Sequence, residues 1–110
     1  MCVKYVITII MSKLAHILEG QLTEAINHAG APIIRRLYSG LRIEIMVVSN
    51  DVKLTLTRDN TYPSLAEWDT VLKHFPYNVP KLLPENKQQG SRYTISARFP
   101  SERTMQQKFF

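Results

Sequence analysis

The sequence predicts an α+β domain of two layers, a β-sheet covered by two helices. Three observations predict it. An apolar stripe at spacings of three and four runs through Leu14, Ile17, Leu18, Leu22, Ala25, Ile26 and Ala29. Apolar residues recur at every second position on either side of Asn50-Asp51, from Leu41 to Ser49 and from Val52 to Arg58. A second helical stripe, Leu65, Trp68, Val71, Leu72 and Phe75, is followed by alternation from Arg92 to Phe99. At 110 residues the chain fits one domain with one core, here assigned to residues 1–100 with a tail over 101–110.

Met1 to Ile10 holds Val3, Val6, Ile7, Thr8, Ile9 and Ile10, a β-branched run expected as a strand buried on both faces. Met11-Ser12-Lys13 reads equally as an alternative start, and then the first ten residues form no element. Ser12 can cap the first helix, which Gly30 and Pro32 stop. Its outer face is assigned Lys13, His16, Glu19, Gln21, Thr23, Glu24 and Asn27. Ala31 to Gly40 is expected as a connector with a short helical turn.

The hairpin follows, with Asn50-Asp51 as its two-residue turn, because both residues tolerate positive φ. That turn sets Val47 opposite Leu54 and Ile45 opposite Leu56. Ser64 and Glu67 have the spacing of a capping box for a helix through Phe75, which Pro76 ends. Tyr77 to Gly90 reads as a long polar loop, and the last strand is Arg92 to Phe99.

The order is β-α-β-β-α-β, that of the ferredoxin-like split fold, or α-β-β-α-β with a three-stranded sheet if residues 1–10 are not a strand. Either order hosts many functions and licenses none.

Several chemistries are excluded or disfavoured by the residues present. Cys2 is the only cysteine, so an intrachain disulfide and a multi-cysteine zinc site are excluded, and a cytoplasmic setting is favoured. The four dispersed glycines form no phosphate-cradling loop. The apolar run Tyr5 to Met11 is too short for a membrane span, and no cleavage pattern follows it. His16 and His28 lie about 18 Å apart along one helix and cannot share a metal. Glu24, His28 and His74 are the least poor acid-base candidates for a small enzyme, yet no catalytic constellation is visible. No cofactor is expected.

The positive signal is charge. Of the net +5, four charges fall after residue 80, where Lys81, Lys87, Arg92, Arg98, Arg103 and Lys108 face only Glu85 and Glu102. On the last strand Arg92, Thr94, Ser96 and Arg98 share one side, a ridge suited to phosphate oxygens. The tail segment Gln106-Gln107-Lys108-Phe109-Phe110 resembles the short peptide that binds bacterial sliding clamps, with Phe109 where that motif usually has Leu. Phe109 and Phe110 could instead dock on the domain's own core or on a symmetry mate. The leading expectation is a non-catalytic binding or adaptor module that contacts nucleic acid or an acidic protein surface. A structural subunit of a homo- or hetero-oligomer is the alternative.

Overall fold

A computed structural model of the chain describes residues 3–102, with side chains described from Lys13 onward. Two helices, α1 (Val3–Asn27) and α2 (Leu65–Lys73), accompany five strands: β1 (Ile33–Arg36), β2 (Arg42–Val48), β3 (Asp51–Asp59), β4 (Glu85–Gln89) and β5 (Arg92–Pro100). The strands form one antiparallel sheet in the order β1-β2-β3-β5-β4. The fold is therefore α+β, but neither the ferredoxin-like order nor the three-stranded alternative holds.

The first correction concerns residues 3–10, which are helical and continuous with α1. No proline interrupts residues 3–27, and extending an existing helix is far cheaper than starting one, so the helix continues through a β-branched run. The position expected for that strand is not needed, since β1 and β4 fill the two sheet edges instead. Ile33–Arg36, expected as a connector, pairs with β2 through Ile33↔Ile45 and Arg36↔Arg42. A 3₁₀ turn over Tyr38–Gly40 does follow it. Glu85–Gln89, expected as loop, pairs with β5 across a turn in which Gly90 adopts φ +59°. All five β4 residues are exposed, so no apolar alternation could announce that strand.

The β2–β3 hairpin turns at Ser49-Asn50, one residue earlier than expected, and Val48 closes it against Asp51. Ser49 takes the positive φ, at 57°. Ile45 therefore faces Leu54 and Ile43 faces Leu56. The register differs by two residues, an even number, so the core face keeps the same side chains while their partners change. With Asp51 inside the strand, its Oδ2 accepts a 2.8 Å hydrogen bond from Arg98 Nε.

One face of the sheet, including Ile43, Ile45, Leu54, Leu56, Ile95 and Phe99, shares a single core with Leu14, Leu18, Leu22 and Ala25 of α1 and Trp68 and Val71 of α2. Gln21, expected on the outer face of α1, is 1% exposed. Its Nε2 donates to the carbonyls of Ile33 and Ile43, each at 2.8 Å, and so clips α1 to β1 and β2. Ile26 and Leu65, both assigned to buried stripes, are exposed instead.

The capping box at α2 forms as its spacing predicts. Ser64 Oγ accepts from the Glu67 amide and Glu67 Oε1 accepts from the Ser64 amide. The same carboxylate takes both Nη groups of Arg58 from β3, each at 2.7 Å. The Arg58 guanidinium is the main cause that holds the Glu67 carboxyl down at about 2, against an ordinary value of 4.5. A carboxyl whose folded pKa is depressed stabilises the fold above its unfolded pKa and loses that contribution as pH falls. The wild-type unfolding midpoint in urea should therefore drop between about pH 5 and pH 2. Glu67→Gln should cost about 1–3 kcal/mol at neutral pH and flatten that acid limb.

Candidate functional site

Backbone alternation leaves the second face of the sheet uncovered by helices, and the register fixes what stands on it. Running across the strands, one row reads Ile34, Glu44, Thr55, Ser96, Glu85 and the next reads Arg36, Arg42, Thr57, Thr94, Lys87. Beside them Lys53 faces Arg98 and Asp59 faces Arg92. This open face thus carries six cations, Arg36, Arg42, Lys53, Lys87, Arg92 and Arg98, against the four carboxylates Glu44, Asp51, Asp59 and Glu85. None of its described residues is aromatic, because Tyr93 and Phe99 alternate onto the helix side as the sequence indicates.

Hydroxyls occupy the centre. Thr57 and Thr94 hydrogen bond across the strands at 3.3 Å. Thr55 is 7% exposed, and its Oγ1 has no hydrogen-bond partner among the described residues. The cations are partly engaged at the two ends of β3, where Arg42 donates to Asp59 at 3.1 Å and Arg98 to Asp51 at 2.8 Å. The Arg42 guanidinium holds the Asp59 carboxyl below its usual range. Both pairs have a partner more than a third exposed, so each contributes little to stability and can exchange for an external anion.

A concavity of about 670 Å³ opens where β4 leaves the sheet. Lys53, Lys87, Ser96 and Arg98 line it from the strands together with the single carboxylate Glu85, and Leu82 and Leu83 contribute from the segment that precedes β4. That segment is held in place by Trp68, whose indole Nε1 donates to the Leu82 carbonyl at 2.9 Å.

Of the cations singled out in the sequence, Lys87 and Arg98 meet in this concavity. Arg92 stands on the same face, six residues from Arg98, or about 20 Å along the strand. Lys81 goes elsewhere, to a separate groove on the helix side with Asp69, Lys73 and Tyr77. Arg103, Lys108, Phe109 and Phe110 lie outside the described residues, and the clamp-peptide resemblance lies there with them. Lys53 was legible as an outward residue of the hairpin; only the β3–β5 pairing brings it to Arg98.

The acid-base candidates do not all come together. Glu24 accepts from Arg35 Nη2 and shares a shallow groove along α1 with His16 and His28, while His74 stands apart at the end of α2. His74 Nδ1 lies 2.9 Å from the Thr70 carbonyl of its own helix. Among the described residues, no three His, Cys, Asp or Glu side chains are grouped so as to hold a metal ion, and no helix is long and apolar enough to cross a membrane. Comparison of the chain with protein-family models, curated proteins and solved structures finds no match.

Proposed function

We propose that the protein is a non-catalytic binding module whose open sheet face contacts an anionic partner, with nucleic-acid phosphates as the first candidate. The observation that carries this reading is the meeting of Lys53, Lys87 and Arg98 around one concavity, continuous with a field of threonine and serine hydroxyls. Cations supply the attraction to phosphate, and hydroxyls supply directional hydrogen bonds. The lack of aromatic residues among those described on this face argues against base stacking, so affinity should come from the backbone of the nucleic acid and be nearly independent of sequence.

Fluorescence anisotropy with a labelled single strand and a labelled duplex, over a series of salt concentrations, tests this. Affinity should fall steeply as salt rises. Lys53→Gln and Lys87→Gln should each flatten the log-log salt slope by about one unit, with little change in thermal midpoint because both residues are exposed. Arg92→Gln, on the same face but about 20 Å from Arg98, should flatten it only if the bound strand runs the length of β5. Failure of both oligonucleotides to bind at low salt removes nucleic acid as the partner. Binding of polyglutamate in their place would assign the face to an acidic protein surface.

A further inference from the structure

A second concavity, apolar and of about 300 Å³, lies at the turn end of the β2–β3 hairpin. It is lined by Leu22 and Ile26 of α1, Val47 and Val52 of the hairpin, and Tyr77. Ile26 is 59% exposed there, although its helix places it beside the buried Leu22 and Ala25. An isoleucine left in water beside a groove of aliphatic side chains forgoes burial that a covering residue would supply.

The chain itself is delivered to this groove. The Ser101 amide donates to the Asn50 carbonyl at 2.8 Å, and the Tyr77 hydroxyl donates to the Pro100 carbonyl at 2.9 Å. Ser101 and Glu102 form part of the rim. The sequence that follows, Arg103-Thr104-Met105-Gln106-Gln107-Lys108-Phe109-Phe110, carries three large apolar residues, and Met105 and Phe109 are spaced four apart, as on one face of a helix. Met105 is three residues from the rim, within about 10 Å even when fully extended. A segment tethered this closely competes for the groove at an effective concentration in the millimolar range, above that of most separate partners.

We propose that residues 103–110 of this chain dock in the groove, with Met105 and Phe109 covering Ile26 and Val47. This assignment is independent of the anion-binding reading, because the groove lies on the helix side of the sheet and its occupant is apolar.

The test is a double-mutant cycle in the full chain without ligand, using Ile26→Ala and Phe109→Ala and reading the thermal midpoint. Ile26 is exposed in the described structure, so its replacement leaves the core intact. Each single change should lower the midpoint by roughly 4 °C, and the double variant should fall no further than the larger single, since both remove one contact. An unchanged midpoint in Phe109→Ala, or strictly additive effects, overturns the proposal. The wild-type midpoint should also stay constant over about a hundredfold range of protein concentration; a concentration dependence would give the groove to a second copy and overturn docking within one chain.

Discussion

Trp68→Ala is expected to lower the unfolding free energy by about 3–5 kcal/mol, the largest loss from any single side chain of the described core. Trp68 is 0% exposed and is the largest of the fully buried residues. Its truncation leaves a cavity between α2 and the sheet, and it strands the Leu82 carbonyl that the indole Nε1 serves at 2.9 Å. The two contributions separate experimentally. Trp68→Phe retains much of the ring and loses the donor, so it should cost about 1–3 kcal/mol in urea titration. Because Leu82 also lines the concavity, both variants should weaken the proposed anion binding through displacement of β4, with Lys87 carried away from Arg98. A Trp68→Ala loss under 1 kcal/mol would mean that α2 does not pack on the core as described.

Leu54→Ala carries the second-largest expectation, about 2–5 kcal/mol. Leu54 is 0% exposed in β3, the central strand, between Ile45 of β2 and Ala97 of β5. A cavity there has strands on both sides and helices above, so little can relax into it. Its neighbour Lys53 faces the opposite side of the sheet, and Lys53→Ala should change stability by no more than about 0.5 kcal/mol. The contrast between adjacent residues is a direct test of the sheet's two faces. Equal losses from the two would place the strand out of register.

The hairpin and both helical stripes were legible because each depends on side chains within one segment. Apolar alternation over Ile43, Ile45, Leu54 and Leu56 names a buried face whatever the strand's neighbours are, and the Ser64–Glu67 capping box closes within four residues. The turn was misjudged by one residue because Ser49-Asn50 and Asn50-Asp51 both accept it locally. Arg98, 47 residues further on, donates to the Asp51 carboxylate, a contact from the next strand that favours Asp51 inside β3. The exposed strand β4 was invisible for a related reason, since what makes Glu85–Gln89 a strand is backbone pairing with β5.

For the candidate site, local pattern was enough to reveal the surplus of basic charge after residue 80 and the outward ridge of Arg92, Thr94, Ser96 and Arg98, because charge is counted and strand alternation is local. It also determined which hairpin residues face outward, Lys53 among them. Long-range packing places β5 beside β3, brings Lys53 and Lys87 to Arg98, and sends Lys81 elsewhere. It likewise decided that Gln21 is buried and that residues 3–10 are helical. Pairing between strands is chosen by hydrogen bonds and packing summed over residues far apart in the chain, and no local pattern of side chains encodes that sum.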